Sequence, residues 1–320
     1  MAEGTLDGSR MVAVTGLLDR LRALRGEFPL SEHKRMELSQ GSRSASDPPP
    51  PGPTAPADRF VGISATARST GDLVGYAHLS IGPRPGEFAL ESVVDPEADG
   101  SDEVANALLA ASVDRVRSLG GGSLRLWVPR ATEADDRRAV THGFGVERNL
   151  LQMCCPLPLS PPAAPATSSP ALTVRPFRPG SDEPAWLTTN NRAFTSHPEQ
   201  GHWDLPTLLE REREPWFDPE GFLVLDVDGR VAGSCWTKVH AEADPPMGEI
   251  YVISVDPDFH GRGWGRALTR SGLDWLAGQG LTVGMLYVDA DNVAAVSLYR
   301  SMGFVEDHVD RAYVLTVDPA

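Results

Sequence analysis

In the C-terminal part of the chain, apolar residues come in short runs separated by turn-forming dipeptides. Residues 222–227 (FLVLDV) and 231–238 (VAGSCWTK) read as strands. Asp228-Gly229 between them is a hairpin dipeptide, since both residue types tolerate positive φ. Residues 249–255 (EIYVISV) make a third strand, which begins at Glu249 and is ended by Asp256-Pro257. The spacing then turns helical over 264–277, with Leu268, Gly272, Trp275 and Leu276 on one face. A further strand is predicted at 283–288. Asn292 is placed to cap a helix over 293–302, on which Val293, Val296 and Tyr299 share a face. Antiparallel hairpins followed by a βαβ unit give an α/β domain with a mixed sheet.

The same landmarks occur earlier, in the same order. LESVVDP, SLRLWV and HGFGVERNLLQMCCPL in the first half answer IYVISVDP, GMLYV and MGFVEDHVDRAYVLTV in the second. Asp95 and Asp256 are 161 positions apart, and Phe144 and Phe304 are 160 apart. A tandem duplication of one α/β domain explains a constant offset. Residues 156–170 (PLPLSPPAAPATSSP) are rich in Pro and Ser and read as a linker between a first domain at 1–155 and a second at 171–320. Residues 41–58 have the same character and read as a disordered loop inside the first domain.

A chain of 320 residues suits two domains better than one. Its formal net charge of −15 speaks against nucleic acid as a partner, because phosphate contacts need a basic surface. Three cysteines, two of them the adjacent Cys154 and Cys155, suggest no disulfide framework and fit a reducing compartment. The N-terminal MAEGTLDGSR lacks the basic-then-apolar pattern of an export signal. No apolar run approaches the roughly 18 residues of a membrane span. A cytoplasmic monomer without a membrane partner is expected.

The segment richest in chemistry is VDPDFHGRGWGRAL, residues 255–268. A strand ends, and Gly261, Gly263 and Gly265 lead into a helix. Such glycines let successive backbone N–H groups converge, and the helix adds the positive end of its dipole. The product is an anion site suited to a pyrophosphate, with Arg262 and Arg266 as added charge. It is not a Walker loop, which ends Gly-Lys-Ser/Thr. Nor is it the dinucleotide fingerprint, whose glycines follow the first strand of the fold. His197, His202 and His240 show no metal-ligand spacing, and no G-x-S-x-G elbow is present.

This arrangement resembles the GCN5-related N-acetyltransferase superfamily, which carries Gln/Arg-x-x-Gly-x-Gly/Ala after its fourth strand. The matching positions are His260, Gly263 and Gly265, with His260 replacing the usual Gln or Arg. The superfamily's later Asn and Tyr-x-x-x-Gly-Phe correspond to Asn292, Tyr299, Gly303 and Phe304. Within it, NNRAFTSHPEQGHW (190–203), WFDPEG (216–221), WTKVH (236–240), GEIYVISVDP (248–257) and LYVDADNVAAV (286–296) resemble the mycothiol synthases, tandem enzymes with an active second domain. The likeness covers nearly all of the second half; in the first half FPLSEHKRMEL (28–38) also fits.

The resemblance implies acetyl-CoA as co-substrate, no metal, and the cysteinyl amine of cysteinyl-glucosaminyl-inositol as acceptor. It makes Glu249 the base that takes the amine's proton and Tyr299 the acid for the departing thiolate. Ile253, Ser254 and Val255 would offer backbone groups to the pantetheine arm and thioester. His260, Gly261, Arg262, Gly263, Trp264, Gly265 and Arg266 would cradle the pyrophosphate. Asn292, Val293, Ala294, Ala295, Val296 and Ser297 would line the cofactor's other side. Glu32, Glu199, Lys238, Glu249 and Tyr287 match substrate-contacting positions, which would put substrate between the domains. In the first half the stretch after VVDP is EADGSDEVANALL (97–109), where Glu97, Asp99, Asp102 and Glu103 crowd the place of a pyrophosphate. That half is expected to be inactive and to bind no CoA. Two other readings compete: an acetyltransferase for another small amine or a peptide N-terminus, and a CoA-binding protein without catalysis.

Overall fold

The computed structural model describes residues 2–4, 8–25, 28–41, 60–160, 173–195 and 200–320. Beyond Gly41 the Pro-rich loop lies outside these, as do linker residues 161–170. The chain forms two units, Met1–Leu150 with Val309–Ala320, and Leu151–His308.

In the first unit, β1 (Ala2–Gly4), α1 (Gly8–Arg25) and α2 (Glu32–Gly41) precede an antiparallel meander of β2 (Phe60–Thr66), β3 (Leu73–Ile81) and β4 (Glu87–Val94). α3 (Ser101–Ser118) then crosses to β5 (Gly122–Val128), which runs parallel to β4 from Glu87↔Ser123 to Leu90↔Leu126. α4 (Glu133–Thr141) starts at Thr132 with a reciprocal capping box to Asp135 and leads into β6 (Gly145–Pro156). Apolar side chains fill both faces of the sheet. Ile63, Leu79, Leu90, Leu108 and Leu124 form one core, while Leu17 and Leu21 of α1 cover Tyr76 and Val93 on the other side.

The second unit repeats the plan. β7 (Val174–Pro176), α5 (Glu183–Ala193) and α6 (Leu205–Arg211) come first, then β8 (Phe222–Val227), β9 (Arg230–His240) and β10 (Met247–Val255) as a meander. Asp228 and Gly229 turn β8 into β9 with φ of 51° and 76°, as the dipeptide predicts. α7 (Trp264–Gly278) crosses to β11 (Val283–Asp289), parallel to β10, and α8 (Val293–Ser301) follows, capped by the Asn292 side chain on Ala295 N–H at 3.2 Å. Leu268 and Leu276 are fully buried, but Val293 is 71% exposed. The expected apolar face of α8 therefore reduces to Val296 and Tyr299, because Val293 opens the first turn. β9 and β10 each run two residues further than expected, through Met247↔His240. Glu249 thus lies inside a strand rather than at its start.

β12 (Val305–Val317) ends the fold, and its residues 311–317 form a ladder on β5, completing the first unit. Leu151–Pro156 of β6 belong to the second unit, beside β11.

α7 sits close on one face of the second unit's sheet because Gly272 has no side chain: a Cβ there would overlap Cys235 Sγ. The opposite face is aromatic. Trp236, fully buried, stacks on Phe222 at 4.3 Å and meets Trp186, Trp216, Phe217 and Tyr251 edge-on or tilted. Among the described residues no helix is long and apolar enough to cross a membrane.

Glu212, just past α6, has its Oε1 buried without a hydrogen-bond partner among the described residues. Burial, then the nearby Glu183 carboxylate, pushes its carboxyl up to about 7. The folded state therefore holds a proton that the unfolded chain releases near pH 4.5. Stability falls as pH rises through that window, and the full penalty is present above pH 7. Glu212→Gln is expected to stabilise the protein at pH 8 by about 1 kcal/mol, the part exposure of the group discounting the shift. Thermal unfolding should show no gain at pH 4.

Candidate active site

The site begins with an interruption in β10. Its ladder to β9 runs through Glu249↔Lys238 and Ile250↔Thr237, passes over Tyr251, and resumes at Val252↔Trp236. One extra residue in one strand is a bulge, which twists the strand and re-aims its side chains. On the other edge, β10 pairs with β11 only from Met247↔Val283 to Ile250↔Leu286. Past that point the two parallel strands no longer share a ladder, so residues 251–255 present an unladdered edge. Ile253, Ser254 and Val255 lie along it. The side chain of Ser254 is spent elsewhere, sharing a hydrogen bond with Ser234 Oγ at 3.0 Å, while Ser234 accepts from Trp186 Nε1 at 2.9 Å. Only backbone remains there for a ligand.

At the end of β10, Asp256 is buried and fixes the loop. It accepts from Asp258 N–H at 3.0 Å, from Arg192 Nε at 2.9 Å and from Arg230 at 2.9 Å. Burial alone would raise its carboxyl, but that N–H and the two guanidinium groups outweigh it and hold the carboxyl below the usual range. His260 donates to the Val255 carbonyl at 2.9 Å, tying the glycine loop back to the strand. Gly261 and Gly263 take φ of 76° and 77°, a region that disfavours any residue with a Cβ.

Gly263 caps α7 without a side-chain hydrogen bond, and the first backbone bond of the helix runs from Ala267 N–H to Gly263 O. The N–H groups of Trp264, Gly265 and Arg266 are therefore left without intrahelical acceptors. Arg262 lies 5.3 Å from the ring centres of both Phe259 and Trp264, and Arg266 donates to Ser301 Oγ. An unsealed helix N-terminus flanked by two arginines is a place where an anion such as a phosphate is favoured.

Glu249 is 7% exposed and lies on the sheet face opposite α7. Its Oε2 is 2.7 Å from His240 Nε2. Lys238, its ladder partner, holds its ammonium 4.6 Å over the ring of Trp216 and 5.6 Å from that of Tyr251. Cation–π contact of this kind steadies the charge without neutralising it. Tyr287, on β11, accepts a hydrogen bond from Gln152 Nε2 at 2.8 Å. Tyr299 is 6% exposed, and burial, then Cys235, holds its phenol well above the usual range, so it stays protonated. Burial pushes the Cys235 thiol up to about 12, which makes it inert packing.

The glycine loop, the parted strands, Glu249 with Lys238, and Tyr299 all belong to the second unit. Asn292 commits its side-chain oxygen to capping α8. Glu32 begins α2 of the first unit, and Glu199 lies outside the described residues. Three features escaped the sequence reading: the Tyr251 bulge, the double clamp on Asp256, and His240 as partner of Glu249. The signal for His240 was the hairpin itself, since its register sets His240 diagonal to Glu249. Among the described residues no group of three or more His, Cys, Asp or Glu could hold a metal.

The first unit differs at each point. The β3–β4 ladder runs without a bulge from Ile81↔Phe88 to Gly75↔Val94. The last parallel ladder pair is Leu90↔Leu126, as Ile250↔Leu286 is in the second unit, so Ala89 stands where Glu249 stands. Phe144 N–H bonds Ala139 O as Phe304 N–H bonds Tyr299 O, so Ala139 stands where Tyr299 stands. Gly100 caps α3, and the Glu103 carboxylate lies 3.2 Å from where a Cβ on Gly100 would be. Over the sheet, Lys34, 3% exposed, donates to Ser80 Oγ and to Ala89 O at 3.1 Å, with Glu37 and His78 completing the network.

The acetyltransferase (GNAT) family model matches residues 185–304. The mycothiol acetyltransferase of Acidimicrobium ferrooxidans is 40% identical over 301 residues, covering 93% of this chain and 91% of its own. The chain belongs to the mycothiol acetyltransferase family. It is an N-acetyltransferase. A GCN5-related N-acetyltransferase from Sphaerobacter thermophilus has the same fold, with a TM-score of 0.69 at 20% identity over 100% of this chain and 96% of its own. So does a tandem GNAT protein from the clavulanic acid biosynthesis pathway, with a TM-score of 0.62 at 17% identity over 99% and 98%. The α/β mixed sheet read from the sequence is thus that of the mycothiol acetyltransferase family's wider fold class.

Proposed function

We propose that the chain moves the acetyl group of acetyl-CoA to the cysteinyl amine of cysteinyl-glucosaminyl-inositol, and that the reaction is carried out in the second unit. The observation that carries this reading is the conjunction of an unsealed α7 N-terminus, an unladdered β10 edge and a buried carboxylate two residues before the Tyr251 bulge. Acetyl-CoA supplies the activated thioester. The loop from His260 to Arg266 holds its pyrophosphate through backbone N–H groups, with residues from Asn292 to Ser297 along its other side. Backbone of Ile253 to Val255 orients the thioester arm. Glu249 takes a proton from the amine, and Tyr299 gives its own to the leaving sulfur. An α-amino group has a pKa of roughly 8, so the base needs to supply only a modest shift.

Lys238 and Tyr287 bring a donor and a donor–acceptor for a polyhydroxylated substrate, and Glu32 and Glu199 belong to the same reading through the family resemblance. The first unit has Ala89, Ala139 and Glu103 at the corresponding points, which supports a unit without catalysis or CoA. The sequence division at 1–155, 156–170 and 171–320 describes the duplicated halves in this reading. The enzyme acts in the cytoplasm as a monomer, with no metal, nucleic-acid or membrane partner. Purified protein with acetyl-CoA and cysteinyl-glucosaminyl-inositol is expected to give the N-acetylated product, followed by mass spectrometry with thiols blocked after the reaction. Turnover with simple amines or peptide N-termini but none with this acceptor would transfer the assignment to another amine. CoA binding with no turnover on any amine would leave a binding protein.

A further inference from the structure

We infer that His240 is a positioning residue for Glu249, pinning one carboxylate oxygen so that the other faces the amine; this rests on Glu249 being the base. The two groups are held by the β9–β10 hairpin, whose ladder sets Glu249 against Lys238 and Met247 against His240. His240 Nε2 and Glu249 Oε2 are 2.7 Å apart. Two acceptors cannot share so short a contact, so an ionised Glu249 requires Nε2 to carry a hydrogen and donate it. Oε2 is then committed. Oε1 is the oxygen left to receive a proton when the C–N bond forms and the C–S bond breaks. The proton on Tyr299 goes to the sulfur, so each proton has a stated origin and acceptor.

The side chain of Glu249 is 10% exposed and that of His240 is 30% exposed. Water alone would orient so buried a carboxylate poorly, whereas the imidazole spans from it to the surface. The other ionisable groups on the surrounding elements are Arg230, Cys235 and Lys238 on β9, Glu242 and Asp244 in the following turn, Tyr251 on β10, and Tyr287 and Asp289 on β11. The β11 residue in register with Glu249 is the apolar Met285, and α7 lies on the other face, where Leu276 meets Gly248.

The test is kcat and KM of the full-length enzyme and of His240→Ala, His240→Gln and Glu249→Gln, with acetyl-CoA binding measured alongside. His240→Ala is expected to lower kcat by about 10- to 100-fold through misorientation of the base, with acetyl-CoA affinity unchanged. Gln places an amide donor near the Nε2 position, so His240→Gln is expected to recover most of kcat. His240→Ala within twofold of wild type in kcat, or His240→Gln no better than Ala, overturns the assignment. Glu249→Gln separates the two claims. If it stays active, the base itself is misassigned; if it is inactive while both His240 variants behave as wild type, only the role of His240 fails.

Discussion

Glu249→Gln is expected to lower kcat by about 10²- to 10⁴-fold, the usual contribution of a positioned acid or base, while acetyl-CoA binds as before. The substitution keeps the size of the side chain and an oxygen that can face His240 across the hairpin. It removes the group to which the proposal assigns the amine's proton. In the proposed site acetyl-CoA lies along the β10 edge and the α7 N-terminus, and Glu249 lies before the Tyr251 bulge, on the part of β10 that ladders with β11. Calorimetry should therefore return the wild-type affinity when steady-state kinetics shows the collapse. A variant that keeps a tenth or more of the wild-type kcat would remove Glu249 from the chemistry.

Arg266→Glu is expected to weaken acetyl-CoA binding by about 30- to 100-fold, most strongly at low salt. The first unit has already made the equivalent exchange. Counting from the cap glycine of each helix, Glu103 follows Gly100 by three residues as Arg266 follows Gly263. In the first unit that carboxylate sits against its own helix N-terminus, where an incoming phosphate would need to lie. A charge reversal at Arg266 loses an attractive guanidinium and adds a competing anion at one place. Calorimetry checks the shift, and the same titration of the wild type should give one acetyl-CoA per chain. Two per chain would mean that Glu103 and its acidic neighbours do not close the first unit.

What could be read from the chain in advance was local. The Asp228-Gly229 hairpin, the Asn292 cap and the run of glycines before α7 depend on neighbours within a few residues, and so does their chemistry. The repeat was legible because Asp95 and Asp256 each end a strand and bond the N–H two residues on, at Glu97 and Asp258. The remainder depended on register between segments far apart in sequence. Nothing near Tyr251 announces that the ladder passes over it, and no local pattern tells where β10 and β11 stop pairing. His240 read as one histidine among several until the hairpin set it diagonal to Glu249. The buried Lys34–Ser80–Glu37–His78 network likewise joins a helix to strands more than forty positions away. Its members look like surface residues in the sequence.

The ladder between β5 and residues 311–317 bears on how the protein is made. Synthesis delivers residues 1–150 first, yet the partner for that edge of β5 emerges about 160 residues later. Until then Leu124 and Leu126 lack the strand that carries Tyr313 and Val317 into their core. Domains ordinarily fold as units in the order in which the ribosome releases them. Here the first unit to leave the ribosome is the last to be completed, so a nascent chain stalled before residue 309 would leave it open, a target for chaperones or proteases.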